Sequence, residues 1–238
     1  MLKAINEFSR FAQQYNQYNI IQTEVARNLI AGIPENYYQN IIDIGCGSGA
    51  VYHHLQKQNI SYNTFIAVDS SKEMLAIHPN DIRVEKVYGD FNTQALYQRL
   101  PSRKEETLLI SASALQWSKN LDFTFSQLSS LAKEAHFAIF TSGTFYSLHL
   151  AADIASPIYP AEELKEVINC YYNATYILKS YKLGFQTVRD MFQYIKKSGV
   201  SGGEKQLSYK QVKKLMEIYP LNYLEFEVLF VKATSLAK

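Results

Sequence analysis

The first 142 residues alternate short apolar runs with segments whose apolar residues recur at helical spacing. The apolar runs predict five β-strands, namely NIIDIG, NTFIAVD, IRVEKVYGD, ETLLISA and HFAIFTS. The segments before and between them predict helices at 3–18, 20–32, 49–58, 71–77, 93–99 and 120–132. Strands that alternate with helices favour a parallel sheet with helices on both faces.

The chain beyond residue 143 has a different pattern. It predicts helices at 146–155, 160–170, 185–197 and 208–219, and two strands, ATYILKSYKL and LEFEVLFVKAT. In the last strand, alternate residues from Leu224 to Phe230 are apolar, with Glu225 and Glu227 between them. This period of two predicts one exposed face, in an antiparallel hairpin at the edge of the sheet.

Composition removes several classes of protein from consideration. The 238 residues are 47% apolar and include 10 Gly and 6 Pro, which indicates one folded domain with a full core. Cys46 and Cys170 provide neither a disulfide framework nor metal-ligand spacing. The N-terminus lacks the apolar core of a signal peptide, and no run reaches the length of a membrane span, so we expect a soluble cytoplasmic protein.

The most specific motif is Asp43-Ile44-Gly45-Cys46-Gly47-Ser48-Gly49, between the first strand and the next helix. Glycines at such a turn permit positive φ and let the backbone approach a ligand closely. Two ligand classes compete. The motif formally meets the dinucleotide fingerprint G-x-G-x-x-G/A, and its form D-x-G-x-G-x-G resembles the class I S-adenosylmethionine-dependent methyltransferases.

Acidic residues after the second and third strands favour the methyltransferase class. The second strand ends in Asp69, followed by a Ser-x-x-Met-Leu helix start, and the third ends in Gly89-Asp90-Phe91. A carboxylate at Asp69 can accept both ribose hydroxyls, although it is also a candidate helix N-cap. Asp90 can accept from the adenine amino group, with Phe91 beside the ring. Ligands of open α/β sheets bind at the carboxyl ends of the strands, where both acids lie.

With these residues placed, the chain resembles the malonyl-acyl-carrier-protein O-methyltransferases of biotin synthesis. The matching strings are FSRFAQQY, IIQTEVARNLI, SASALQW, IKKSGV and the stretch from YPL to FV near the C-terminus. The chain departs from the family in two places. It has no Arg in ASPIYPAEEL, where several members have one that could hold the substrate carboxylate, and no Gly before the fifth strand.

The resemblance implies a Rossmann-like class I methyltransferase fold, α/β, with a seven-stranded, mostly parallel sheet, an antiparallel C-terminal strand and helical cap insertions. It implies one domain, divided into N-terminal helices or lid (1–33), cofactor-binding core (40–142), cap and substrate region (143–205), and last helix and strand (206–238). The segment SGVSGGEK at 198–205 is a predicted loop.

The implied reaction transfers a methyl group from S-adenosylmethionine to a malonyl carboxylate. That carboxylate is already ionised near neutral pH, so we expect no general base, no metal and no role for the five histidines. Cys46 is expected to pack rather than react. The expected cofactor-binding residues are Tyr15, Asp43, Gly45, Cys46, Gly47, Gly49, Asp69, Ser70, Met74, Asp90, Phe91 and Ser111. The expected substrate-binding residues are Tyr15, Gln116 and Trp117.

The formal net charge of +2 hides an uneven distribution. Residues 179–214 carry a net charge of +7, so the rest of the chain carries −5. Acyl carrier proteins are acidic, so this segment is a candidate docking surface, although charge runs are more often solvated faces. The candidate docking residues are Lys179, Lys182, Arg189, Lys196, Lys197, Lys210, Lys213 and Lys214.

We expect a monomer whose partner is the acyl carrier protein that holds the malonyl group, with no nucleic-acid or membrane partner. Two alternatives stay open. One is a methyltransferase for a free small carboxylic acid or another small metabolite, which would not need the basic segment. The other is a non-catalytic binding module or an RNA methyltransferase. The Asn-Pro-Pro-Tyr-type motif of many amino-group methyltransferases is replaced here by Ser111-Ala112.

Overall fold

The computed structural model describes residues 18–101, 104–197 and 207–236. Its sheet has seven strands in the order β3-β2-β1-β4-β5-β7-β6. Strands β1 to β5 run parallel, and β7 pairs antiparallel with both β5 and β6. The predicted fold class is confirmed. The strands are β1 (Tyr37–Ile44), β2 (Ser61–Asp69), β3 (Val84–Tyr88), β4 (Thr107–Ala112), β5 (Glu134–Phe140), β6 (Tyr172–Gly184) and β7 (Tyr223–Ser235).

The helices fall where the periodicity predicts them, with shorter ends. They are α1 (Ile20–Ala31), α2 (Ala50–Leu55), α3 (Lys72–Ile77), α4 (Gln94–Tyr97), α5 (Leu121–Leu131), α6 (Tyr146–Ala152), α7 (Ala161–Asn169), α8 (Val188–Lys197) and α9 (Tyr209–Ile218). Short 3-10 turns occupy Lys104–Glu106 and Leu115–Trp117. The predicted helix at 3–18 lies outside the described residues except for Tyr18, and so does the predicted loop at 198–205.

Apolar side chains form a buried layer on each face of the sheet. Alternate residues of one strand supply both layers: Ile41 belongs to the layer that packs α1, α2, α8 and α9, whereas Ile42 and Ile44 belong to the layer that packs α4, α5 and α7. All three are fully buried. Because both faces are covered, the ligand-binding edge of the sheet is left at the carboxyl ends of the parallel strands.

The C-terminal hairpin corrects one expectation from the sequence. The hairpin is at the edge of the sheet, but its outer strand is β6, and β7 lies inside between β5 and β6. At Glu225 and Glu227, the predicted exposed face of β7 is covered by the chain that follows β5, from Thr141 into the first turn of α6. There Thr141 donates a hydrogen bond to Glu227 and Ser147 donates one to Glu225. The two glutamates are therefore half-buried at the carboxyl end of β5 rather than solvated.

Among the helices that the structure describes, none combines the length and the apolar character that a membrane crossing requires.

Candidate functional site

The glycine loop between β1 and α2 is built from three residues with left-handed backbone. Gly45, Gly47 and Gly49 have φ values of 73°, 52° and 93°. A Cβ on Gly45 would overlap the Ala114 Cβ, so the loop packs directly against the segment after β4. A Cβ on Gly47 would meet nothing within 4 Å. The loop therefore leaves open space at Gly47, as a cradle for a ligand requires.

Asp69, at the end of β2, holds this loop in place. Its Oδ2 accepts a hydrogen bond from the Gly47 N–H at 2.9 Å, and its Oδ1 accepts one from the Ser71 N–H at 2.8 Å. Burial raises the pKa of Asp69, and the two N–H donors act against this shift. The helix N-cap is Ser71, whose Oγ accepts from the Met74 N–H at 3.2 Å, so the N-cap alternative for Asp69 is wrong.

Asp43 has the environment of a ligand-binding carboxylate. It is fully buried near the end of β1, and neither of its oxygens has a hydrogen-bond partner among the described residues. Burial, with the nearby charge of Asp69, raises its pKa well above the usual range. A buried unpaired carboxylate is costly unless a ligand supplies donors or positive charge. S-adenosylmethionine supplies hydrogen-bond donors through its ammonium group and positive charge through its ammonium and sulfonium groups, so the Asp43 carboxylate fits that cofactor.

The end of β3 places Asp90 and Phe91 beside each other. Asp90 Oδ1 accepts from both the backbone and the side-chain N–H groups of Asn92, each at 2.9 Å. Phe91 is buried, and the Tyr97 hydroxyl donates to its carbonyl oxygen at 2.6 Å. These contacts fix the turn after β3, so the Asp90 carboxylate is held near the carboxyl edge of the sheet.

Three other residues predicted to bind the cofactor, Ser111, Cys46 and Met74, are buried in or beside the glycine loop. Ser111 is fully buried, and its hydroxyl donates to the Ile44 carbonyl oxygen at 2.7 Å, tying β4 to the base of the loop. Cys46 and Met74 are also buried. Burial and the neighbouring carboxylates raise the pKa of the Cys46 thiol well above its usual value, which keeps it protonated and suits a packing role. Ser70 is half-buried beside Asp69.

Gln116 and Trp117, the residues predicted to bind the substrate, follow β4 in a 3-10 turn. The Gln116 Nε2 donates to the Ser113 carbonyl oxygen at 2.7 Å, and the Trp117 Nε1 is buried without a partner in the described ranges. Ser113 itself has φ of 65° and a buried hydroxyl with no partner there. Sequence reasoning missed Ser113. Tyr15 lies outside the described residues.

His78 packs beneath the glycine loop as a neutral ring. It is 2% exposed, lies within stacking distance of Phe65, and would be 3.1 Å from a Cβ on Gly49. Its Nδ1 donates to the Pro79 carbonyl oxygen at 3.1 Å, whereas its Nε2 is buried without a partner among the described residues, so a second ring proton would have no acceptor there. Burial lowers the pKa of His78 from its ordinary value of 6.5 to about 4.

This shift predicts acid destabilisation. The unfolded chain takes up a proton below pH 6.5, whereas the folded chain resists it until about pH 4. The contribution of His78 to the free energy of unfolding is therefore fully present above pH 6.5. It falls as the pH drops towards 4, by up to roughly 3 kcal/mol. Urea unfolding at pH 7.0 and 5.0 measures the loss. In the His78→Phe variant this part of the pH dependence should disappear; an unchanged slope would contradict the assignment.

The predicted basic surface divides between two faces of the sheet. Lys179 pairs in register with Val228 and lies over the Phe230 ring, 5.3 Å from its centroid, on the side of α8 and α9. Lys182 pairs with Glu225 and lies 4.7 Å from the centroid of the Tyr223 ring, on the opposite side. Lys182 is therefore not part of one surface with the others, because residues three apart in a strand point to opposite faces.

The remaining cations are distributed over α8 and α9. Arg189 is exposed on α8, and Lys210, Lys213 and Lys214 are exposed on α9. Both helices pack their apolar sides, including Met191 and Leu215, into the same layer of the core. Lys196 and Lys197 end α8, and their side chains lie outside the described part. We define the basic surface as Lys179, Arg189, Lys210, Lys213 and Lys214.

The family comparison agrees with this geometry. Residues 41–135 match the model of a methyltransferase domain, a range that contains the glycine loop, Asp69, Asp90 and the segment after β4. Together with the sheet order and the buried carboxylates, this match defines the class. The chain has the fold of class I methyltransferases, and it is a methyltransferase that uses S-adenosylmethionine as its cofactor.

Within this class, the chain is similar to curated proteins named malonyl-[acyl-carrier protein] O-methyltransferase. The protein from Priestia megaterium is 27% identical over 91% of this chain and 88% of its own length. The one from Buchnera aphidicola is 24% identical over 92% of this chain and 91% of its own length. The one from Halalkalibacterium halodurans is 29% identical, over 63% of this chain and 59% of its own length.

Solved structures agree on the fold. The YcgJ protein from Bacillus subtilis superposes with a TM-score of 0.63 and 10% identity, over 90% of this chain and 99% of its own. A phosphoethanolamine N-methyltransferase 2 from Haemonchus contortus, solved with S-adenosyl-L-methionine, superposes with a TM-score of 0.54 and 15% identity, over 91% and 52% of the two chains. At these identities the likeness concerns the fold alone.

Proposed function

We propose that this methyltransferase methylates the free carboxylate of a malonyl group carried as a thioester on acyl carrier protein. The product would be the malonyl methyl ester that primes pimeloyl synthesis for biotin. The observation that carries the proposal is the match to relatives with this printed name over 91% of the chain. In the proposed division, residues 40–142 hold the cofactor, 143–205 receive the substrate, 1–33 form a lid and 206–238 complete the sheet.

The reaction places simple demands on the protein. A carboxylate oxygen attacks the methyl carbon; a C–O bond forms as the C–S bond breaks, and the sulfur keeps the electron pair. The oxygen is already ionised, so no residue has to remove a proton. Catalysis then depends on aligning oxygen, methyl and sulfur and on excluding water. The site fits this demand, because the backbone N–H groups of the glycine loop and of the segment after β4 donate hydrogen bonds, including one from Gly47 to the Asp69 carboxylate.

A comparison of acceptors separates the carrier proposal from its alternative. Turnover is measured with malonyl-carrier protein, with a malonyl thioester of a small thiol, and with free malonate. The proposal predicts the highest kcat/KM for the carrier-bound substrate. Faster methylation of the free acid would instead identify a methyltransferase for a small carboxylic acid.

The basic surface predicts a salt-dependent contribution from docking. Reversing Lys213 and Lys214 to Glu should lower kcat/KM for malonyl-carrier protein by about tenfold at low salt, because complementary charge accelerates encounter. The same variant should methylate the small malonyl thioester at the wild-type rate, since that substrate does not meet the surface. Steady-state kinetics at two salt concentrations make the measurement.

A matched control carries the same change in charge elsewhere. Lys57 and Lys133 are exposed and lie outside the basic surface. Their double reversal to Glu should leave the carrier-dependent rate unchanged. If the Lys213 and Lys214 variant also retains full activity on the carrier, the surface is a solvated face and docking occurs elsewhere.

A further inference from the structure

Two buried hydrogen-bond donors without partners lie in the segment that follows β4. They are the Ser113 hydroxyl and the Trp117 Nε1–H, and neither meets an acceptor within the described ranges. Buried polar groups are hydrogen-bonded in the great majority of cases. Two buried donors without acceptors in one turn therefore indicate that a bound ligand supplies the acceptor. An indole N–H can only donate, so its partner must be an acceptor.

The segment is held in a conformation that its residues would not adopt alone. Ser113 has φ of 65°, which is unusual for a residue with a Cβ. Its N–H donates to the Ala138 carbonyl oxygen of β5 at 2.8 Å, and its own carbonyl accepts from Gln116 Nε2 at 2.7 Å. The backbone N–H of Trp117, as distinct from its indole N–H, donates to the Ala114 carbonyl oxygen at 3.1 Å. Strain sustained in this way is typical of functional sites.

Ser113 lies between the glycine loop and the chain that connects β5 to α6. On one side Ala114 lies against Gly45, in the loop that cradles the cofactor. On the other side the backbone of Ser113 pairs with β5, next to the connection that leads into α6 and α7. Ser113 therefore lies beside the glycine loop, in the turn that follows the central strand of the sheet.

The turn itself and the connection after β5 contain no Lys or Arg to replace the missing arginine, and the first cation after the turn is Lys119. No Lys or Arg occurs from Ser111 to Ser118, nor from Glu134 to Leu164, which includes the end of β5, α6 and the start of α7. A carboxylate can only accept hydrogen bonds, so donors without charge can still hold it. Neutral donors also avoid repulsion with the sulfonium and withdraw less charge from the attacking oxygen than a guanidinium does.

We propose that the Ser113 hydroxyl and the Trp117 indole N–H hold the acceptor carboxylate in this enzyme, in the role that an arginine would otherwise take. Gln116 is then a positioning residue, because its amide fixes the Ser113 backbone and its own carbonyl oxygen would repel a carboxylate. This inference rests on the proposed carboxylate substrate and deepens it. We call these two donors, the Ser113 hydroxyl and the Trp117 indole N–H, the clamp. One oxygen of the carboxylate accepts from the clamp while the other attacks the methyl carbon.

The test measures discrimination between acyl thioesters that differ in whether they carry a free carboxylate. We measure the binding of malonyl- and acetyl-carrier protein, and of the malonyl and acetyl thioesters of a small thiol, to the complex of the enzyme with S-adenosylhomocysteine. Trp117 is the only tryptophan of the chain, so its fluorescence reports binding directly in Trp-containing variants, and calorimetry covers the others. The variants are Ser113→Ala, Trp117→Phe and their combination, with Ser130→Ala on the exposed side of α5 as the control.

The wild type and the control should bind malonyl over acetyl ligands by about tenfold or more, and each single variant should lose much of that preference. In the double variant the preference should fall to about twofold, with S-adenosylhomocysteine affinity unchanged. A retained preference, a wild type without preference, or an effect confined to cofactor affinity would overturn the clamp. Turnover of malonyl-carrier protein by the wild type tests the proposed substrate separately, because the small thioesters examine the carboxylate site without the carrier.

Discussion

Replacing Asp69 with alanine is expected to weaken S-adenosylmethionine binding by about 100-fold, because we propose that its carboxylate accepts charge-assisted hydrogen bonds from the ribose hydroxyls. The loop also loses its anchor, since Asp69 accepts from the Gly47 N–H at 2.9 Å and from the Ser71 N–H at 2.8 Å. Calorimetric titration with the cofactor measures the change.

Asp69→Asn is the matched variant. It keeps one acceptor oxygen but not the charge, so its affinity should lie between those of the wild type and the alanine variant. Thermal unfolding of both variants separates cofactor contact from loss of the fold. If Asp69→Ala bound the cofactor as tightly as the wild type, the assignment of the site would be wrong.

Gly45→Ala is expected to destabilise the fold by about 3–5 kcal/mol, through both overpacking and left-handed strain. The new methyl group would overlap the Ala114 Cβ while the backbone is at φ of 73°. Gly47→Ala is the contrasting change. Its φ of 52° carries strain, but its Cβ would meet nothing within 4 Å, so the expected loss is only about 1–2 kcal/mol.

Urea unfolding distinguishes the two variants, and cofactor titration completes the comparison. Gly47→Ala should fold and yet bind the cofactor more weakly, because its methyl group occupies the space that the loop leaves for the ligand. Equal destabilisation by both substitutions would show that the loop is not packed against the segment after β4. Full cofactor affinity in Gly47→Ala would place the ligand elsewhere.

The sequence predicted the order of helices and strands because each is marked by a local pattern. Apolar runs identify β1 and β2, which are buried on both faces, and Gly49 fixes the start of α2. The environment of β7 could not be predicted in this way. Its alternation indicates an exposed face, whereas Glu225 and Glu227 are covered by the chain after β5, a long-range contact that no local pattern reports.

Among the candidate site residues, too, those marked by a local sequence pattern could be predicted and the others could not. Asp43, Asp69 and the glycines were predicted because strand ends and loop glycines have a recognisable spacing. Ser113 was missed, since nothing in SASALQW reveals a left-handed serine or an unpaired hydroxyl. The separation of Lys179 from Lys182 was within reach of the sequence, because a predicted strand places residues three apart on opposite faces.

Intact-mass spectrometry of malonyl-carrier protein, after incubation with the enzyme and S-adenosylmethionine bearing a deuterated methyl group, tests the central claim most directly. We expect one labelled methyl per carrier, located on the released acyl group, with none on acetyl-carrier protein and none with the Asp69→Ala enzyme. A carrier that stays unmodified while the label appears on a free acid in a parallel reaction would contradict it.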